Sequence, residues 1–366
     1  MARLIVSVNK NALKYNLQMV RESSPNTKVM AMVKANAYGH GLVLAAKAFH
    51  LADAFGVATL DEAITLRKNQ ITKPIVLMQG ILSLNALRLV VKYDITVVVH
   101  HSIQLDLLKD TSSVVKVWVK VNTGFNRLGF QPNEIDTVIN RLEASSISIQ
   151  GIMTHYAKAN ECDDVSTKAQ LYIFTKLIKK YDYPVSISNS AGILNYPNTI
   201  ETWIRPGLML YGVSPFSDKC ATDLNLEPAM TLKSQLISTY VIKKGQKVGY
   251  GAHYTAQKDL RIGIVSIGYG DGYHWLQNAP IPVVINGERA HIIGQVAMDM
   301  IAISLENITS AHVGNYVTLW GDGLFVEDIA QQLSTSPYVL LCSAPTEKER
   351  AMREAKESSL SFSFNK

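Results

Sequence analysis

Nothing in this 366-residue chain stays apolar long enough to cross a bilayer, which takes about 20 consecutive residues. The opening MARLIVSVNK has neither the apolar length nor the small-residue cleavage site of a secretion signal. Cysteine is scarce. Cys162, Cys220 and Cys342 are far apart, form no CxxC pair and stand at no Cys/His spacing suited to zinc. A disulfide scaffold and a metal centre are therefore not expected, and a reducing cytoplasm is. Low-complexity segments and long internal repeats are lacking as well. The net charge of +6 is not gathered into a basic stripe, because the lysine pairs of LIKKY and VIKKG read as helix ends or turns. Neither nucleic acid nor membrane is expected as a partner, whereas an anionic small ligand would account for the positive balance. What is present, 47% hydrophobic and 18% charged residues, suits a soluble globular chain with room for two domains.

The first part of the chain alternates short β-like runs with amphipathic helical stretches. The runs are VMAMVK, AFGVA, PIVLM, ITVVV, VVKVWVKV, ISIQGIM, VSIS and the segment around WIRPGLMLY. Between them fall helical patterns such as LDEAITLRKN, NEIDTVINRLEAS and DVSTKAQLYIFTKLIKKY, with apolar residues at i, i+3/i+4 spacing. Eight βα units predict an α/β fold, a (β/α)8 TIM-type barrel over residues 9–228; an open doubly wound sheet is the competing reading. From 229 the texture changes to closely spaced strand-like runs broken by Gly, Asn and Asp turns. This predicts a predominantly β C-terminal domain over 229–366. The alternating RLIVSVN near the start is a candidate extra strand (1–8) for that second domain.

Barrel chemistry sits at the C-terminal ends of the strands. Lys34 ends the first run and is followed by Tyr38 and a Gly39/Gly41 pair, a candidate phosphate cradle. Lys120 and Arg127 follow the fifth run, His155 the sixth and Asn189 with Ser190 the seventh. The eighth carries Arg205 before a Pro206-Gly207 turn whose amides at Gly207 and Leu208 are candidate anion donors. Singly each has an ordinary reading: His155 as a satisfied core histidine, Arg127 as a helix-end cation, Ser190 as a helix N-cap. Together, a lysine amine, a phosphate cradle and an inward arginine match the needs of pyridoxal phosphate. An arginine beside the pyridine nitrogen cannot give up a proton, so the ring would be a weaker electron sink and a long-lived carbanion disfavoured.

The motifs VKANAYGHG, TGFNRLG, the TH after the sixth run, NSA, RPGLMLYG, VGYG, IGYGDG and GQVAMDM, in this order, resemble bacterial alanine racemase, a fold-type III pyridoxal phosphate family. The likeness runs from about residue 5 to about residue 345. It implies interconversion of L- and D-alanine by a two-base mechanism, D-alanine for peptidoglycan, and a homodimer with active sites shared between chains. Lys34 then matches the Schiff-base lysine and one base, and Tyr250 the opposite base, donated by the other subunit. His155 and Arg205 match supporting groups, with Arg205 facing the pyridine nitrogen. Tyr38, Asn189, Ser190, Gly207 and Leu208 match the cofactor cradle, and Arg127 a residue near the ring hydroxyl and the substrate carboxylate. The resemblance also makes Met298 a backbone contact to that carboxylate, Tyr269 a residue narrowing the entrance, and Lys120 a candidate carbamylated lysine. Near its end the chain departs from the pattern, with Thr346 where a phosphate-contacting tyrosine often stands and EKE in place of RVP. Serine or broad-specificity racemisation, decarboxylation, a non-catalytic pyridoxal phosphate protein and a sugar-phosphate barrel enzyme are the alternatives.

Overall fold

The computed structural model describes residues 3–345 except 110, 112, 198 and 277–279, so the departure at Thr346 lies outside the described residues. The chain divides into two compact units. One is Leu13–Ala37 with Leu42–Leu210; the other is Met1–Ala12, Tyr38–Gly41 and the chain from Tyr211 onward.

After β1 (Leu4–Val8) come eight strands: β2 (Lys28–Met32), β3 (Ala54–Val57), β4 (Ile75–Leu77), β5 (Thr96–Val99), β6 (Val115–Lys120), β7 (Ile147–Met153), β8 (Val185–Ser186) and β9 (Trp203–Ile204). Each pairs in parallel with the next, and β9 returns to β2 through Lys28↔Trp203 and Val29↔Ile204. This closure bears out the barrel and rules out the open sheet. Parallel strands need crossovers, and these are helices with legible starts. Thr59 and Glu62 make a reciprocal capping box on Leu60–Lys68, Ser83 caps Leu84–Lys92, and Asp164 caps Val165–Ile178. Strands β3, β4 and β5 are buried at every residue, which is why they read as unbroken apolar runs. The last two strands are shorter than their runs suggest, and β9 stops just before Arg205 and Pro206, a residue with no N–H to give to a ladder.

Inside the barrel, Met30, Ala54, Val76, Val98, Trp118 and Met153 pack together, one from each of β2 to β7. Trp118 fills much of that layer, and its register partner on β7 is Gly151, where an added Cβ would lie 2.3 Å from the indole. The glycine in ISIQGIM is therefore a packing requirement of the tryptophan.

The second unit is antiparallel. Its strands are β10 (Met230–Ile242), β11 (Lys247–Val248), β12 (Tyr254–Thr255), β13 (Leu260–Val265), β14 (Pro282–Ile285), β15 (Glu288–Ile293), β16 (Ile301–Ser304) and β17 (Tyr316–Trp320). The main sheet runs β1-β10-β13-β16-β15-β14-β17, and β10 also pairs with β17, so the sheet curls back on itself. β1 joins this unit through Leu4↔Ser234 to Val8↔Met230. Irregular register along β10 lets one long strand serve three neighbours. Between β14 and β15, Asn286 and Gly287 both take positive φ, 51° and 81°, as a two-residue hairpin turn requires. Among the described residues, no helix is long and apolar enough to cross a membrane.

Candidate active site

The first barrel strand delivers Lys34 into an unusual turn. Ala35, Asn36, Ala37 and Tyr38 all lie in the left-handed region, at φ 52°, 53°, 55° and 52°. For residues with a Cβ this costs roughly 1–2 kcal/mol each. The turn persists because its polar groups are held: the Ala37 N–H donates to Val33 O at 2.8 Å, and Asn36 Oδ1 accepts the Leu42 N–H at 2.8 Å. Glu62 Oε1 accepts the Asn36 N–H at 3.2 Å, while its Oε2 accepts from Ala58 at 2.9 Å and Thr59 at 3.2 Å. The capping box of one crossover helix thus braces the backbone that carries Lys34. Strain of this kind collects where a side chain must be held for use.

Three cations and a histidine share this barrel mouth with Lys34. Arg205, buried just beyond β9, donates to Ser186 Oγ, to the carbonyls of Thr154 and Ile187, and to His155 Nδ1 at 3.1 Å. A guanidinium can only donate, so Nδ1 of His155 is the acceptor and its neutral form carries the proton on Nε2. Burial, then Arg205, Lys120, Arg127 and Lys34 in turn, holds the imidazole well below its ordinary pKa. Lys120, buried at the end of β6, is pushed down to about 7 by burial and by Arg205, Arg127 and Lys34. Arg205 itself is lowered to about 10 by burial against the pull of Glu201, and stays charged near neutrality. The groups that press on Lys120 and His155 are all cationic, and an anionic ligand would relieve that repulsion.

Arg127 is presented by a loop that Asn122 shapes, its Oδ1 accepting from Gly124 at 3.1 Å and Asn126 at 3.0 Å. Gly129 closes the loop where an added Cβ would lie 2.6 Å from Asn122 N. Across the mouth, Ser190 turns out not to cap its helix. Asn189 does so, with Oδ1 accepting the Gly192 N–H at 3.0 Å. Ser190 Oγ instead accepts the amides of Gly207 at 2.9 Å and Met209 at 3.3 Å. With both lone pairs engaged, its remaining capacity is the O–H, a donor that fits a phosphate oxygen. The Gly207 amide is committed to this hydroxyl.

Tyr38 falls within the second unit, its ring 4.8 Å from that of Tyr211 and 5.5 Å from that of Tyr338. Burial, and then Tyr338 and Cys342, raises its phenol well above the usual value, so it is a neutral O–H donor. Gly39 is a packing residue more than a cradle, since an added Cβ would lie 2.1 Å from Leu341 O.

The remaining predicted residues, Tyr250, Tyr269 and Met298, are exposed on the second unit, at 68%, 43% and 61%. Tyr250 lies between Gly249 and Gly251, both at positive φ. The IGYGDG loop crosses the Met298 loop: Tyr269 donates its N–H to Ala297 O at 3.1 Å and Gly270 to Met298 O at 2.7 Å. A Cβ on Gly268 would lie 2.2 Å from Ala297 O, so the glycine permits the crossing. The loop is anchored by Asp271, which pairs with Arg3 at 2.6 Å and accepts the Gly268 N–H at 3.1 Å. VGYG joins the same group where Gly294 lies against Val248 O.

The structure therefore gathers Lys34, Lys120, Arg127, His155 and Arg205 at one mouth, and Tyr250, Tyr269 and Met298 in adjoining loops of the other unit. Glu62, Arg3 and Phe125 also shape these loops without being predicted site residues. Only Glu62 left a signal, the T-x-x-E of its capping box.

A closed parallel barrel with a lysine just beyond its first strand and a cationic mouth defines the class as a TIM-type barrel with the charge to suit an anionic ligand. Residues 8–215 match the family description "Alanine racemase, N-terminal domain", and residues 229–352 match "Alanine racemase, C-terminal domain". An alanine racemase of Coxiella burnetii is 44% identical over 352 residues, spanning 93% of this chain and 96% of that protein. One from Shewanella baltica is 44% identical over 340 residues, spanning 91% and 94%. Among solved structures, the alanine racemase of Acinetobacter baumannii superposes with a TM-score of 0.90 at 38% identity, covering 94% of this chain and 99% of the other. The biosynthetic alanine racemase of Pseudomonas aeruginosa gives 0.91 at 35% identity, covering 95% and 99%. The chain belongs to the alanine racemase family and is an isomerase acting on alanine.

Proposed function

We propose that this enzyme interconverts L- and D-alanine with pyridoxal 5'-phosphate held in the barrel mouth, and that its D-alanine serves peptidoglycan synthesis. The observation that carries this is the convergence of Lys34 and the exposed Arg127 with the buried Arg205 and Lys120 on one mouth, where their mutual repulsion is felt by Lys120. When bound, pyridoxal phosphate supplies electron withdrawal that acidifies the Cα–H of the attached amino acid.

The residues of the chain do the rest. Lys34 Nζ holds the cofactor and handles the proton on one face of Cα. Tyr250 Oη, from a second copy of the chain, takes the proton from L-alanine on the other face, because inversion needs removal and return on opposite sides. A free phenol titrates near pH 10, so Tyr250 needs a donor and nearby positive charge to act as a base near neutrality. Neutral His155, with its proton on Nε2 and its Nδ1 fastened to Arg205, is suited to give that hydrogen bond. Arg205, a donor that keeps its proton, is assigned to the ring nitrogen, where it disfavours a long-lived carbanion and so suppresses side reactions. Ser190, Tyr38, Asn189 and the Leu208 amide are assigned to the phosphate and its surroundings, with Gly207 shaping the turn and donating its own N–H to Ser190 Oγ. Ser190 and Tyr38 contribute hydroxyl protons, while Asn189 acts by capping the helix that carries Ser190.

Arg127 and the Met298 amide are assigned to the alanine carboxylate, and Tyr269 to the entrance. The exposure of Tyr250, Tyr269 and Met298 supports a homodimer in which each copy completes the other's site. Lys120 is a suitable site for carbamylation: an amine lowered to about 7 is substantially neutral at physiological pH and can attack CO2, and the resulting anion would offset its cationic neighbours. Borohydride reduction of the loaded enzyme and peptide mapping are expected to place the pyridoxyl mass on the Lys34 peptide. Its appearance on another lysine would overturn the assignment. A circular-dichroism assay with L-alanine against L-serine then sets the substrate range, with alanine turned over faster.

A further inference from the structure

Phe125 stands between two of the groups just assigned. The Arg127 guanidinium carbon lies 4.2 Å from the centroid of its ring. The His155 imidazole meets the same ring at a centroid separation of 5.5 Å and an interplanar angle of 55°. Residue 125 is the crest of the loop pinned on both sides by Asn122, through Gly124 and Asn126, so the half-buried ring is held by its backbone. A guanidinium over an aromatic face is attracted by the negative face of the ring, and its planar fan of N–H donors stays directed at a ligand. Among the described residues no carboxylate makes an ion pair with Arg127. His155 is held at its Nδ1 edge by Arg205 and lies in a tilted contact with Phe125.

We propose that Phe125 is a positioning residue for racemisation: its ring seats Arg127 for the substrate carboxylate and braces the His155 imidazole. The proposal rests on the assignment of Arg127 to that carboxylate. Because the ring carries no charge, it holds Arg127 whether or not Lys120 bears a carbamate.

The test uses holoenzyme and acetate, a carboxylate without an amino group, with its dissociation constant read from the change in cofactor absorbance. Phe125→Leu keeps an apolar side chain but removes the aromatic face. It is expected to weaken acetate about two- to fivefold, the range of an exposed cation–π contact, and to raise KM for alanine by a similar factor while kcat moves less. Phe125→Tyr, which retains the face, is expected to restore both. Arg127→Lys is the control for the underlying reading and should weaken acetate in its own right. If Arg127→Lys weakens acetate and Phe125→Leu does not, the role of Phe125 is overturned and that of Arg127 stands. If neither does, the carboxylate assignment itself has failed. A tyrosine variant as weak as the leucine one would also overturn the proposal, because the aromatic face would then be irrelevant.

Discussion

Arg205 in the barrel and Tyr250 in the β unit are assigned to the same proton path, yet the chain treats them in opposite ways. Arg205 is 3% exposed and donates to a serine, two carbonyls and a histidine, all from neighbouring strand ends. Tyr250 is 68% exposed on a turn flanked by two positive-φ glycines. The barrel builds its half of the chemistry into its own core, so removing a group there disturbs folding along with function. The β unit displays its half on the surface of its own chain, where a side chain can be changed without leaving a cavity in that chain's fold.

The largest effect is expected for Tyr250→Phe, which should slow reaction from L-alanine by about 10²- to 10⁴-fold, the usual range for a lost acid–base group. Its melting temperature and cofactor content should stay those of the parent. Normal racemisation by this variant would end the two-base assignment, and a large drop in melting temperature would end the contrast between the units.

Lys120 offers a second test, now of the barrel. Its folded pKa of about 7 lies below the ordinary 10.5, so between these values the unfolded chain binds more protons than the folded one. Stability should therefore rise with pH across that window, the penalty for the buried charge being fully present below about pH 7. Its size is at most about 5 kcal/mol, at roughly 1.4 kcal/mol per pH unit. Denaturant titrations in CO2-depleted buffer should show this slope, and Lys120→Met should remove it. Bicarbonate should flatten it too if the lysine is carbamylated; an unchanged slope in bicarbonate would count against the carbamate. Smallest is Thr59→Ala, which removes one half of the capping box that braces the Lys34 turn. A loss of about 1 kcal/mol in chemical denaturation is expected, with a much smaller change in activity than in Tyr250→Phe.

Much of this was visible without coordinates. The eight apolar runs, the lysine at the end of the first and the Gly, Asn and Asp turns of the second part are local patterns; every run became a barrel strand, although the last two kept only two residues each. Other features could not be read that way. Four consecutive left-handed residues after Lys34 carry no glycine to announce them. They are sustained by Glu62, which reaches back from a helix more than 20 residues away in sequence. Ser190 and Asn189 are both plausible caps in NSA, and only the position of the Gly207–Met209 turn decides that the serine is taken by two amides and the asparagine by the helix. Gly151 reads as a weak point in a strand until Trp118 is seen occupying its space.

Local sequence alone carries the periodicity of each element, the change of texture near residue 229 and the chemical kinds of group at the strand ends. These follow from side-chain spacing and backbone preference over a few residues, which no distant contact needs to supply. Long-range packing, in contrast, places Leu4–Val8 with β10, Tyr38 with Tyr211 and Tyr338, and both Arg127 and His155 against Phe125. It also sets Lys120 among cations, where burial and its neighbours push its amine down to about 7. Register, burial and the field at a buried amine all depend on residues far apart in the chain, and they take their values only once the strands have closed.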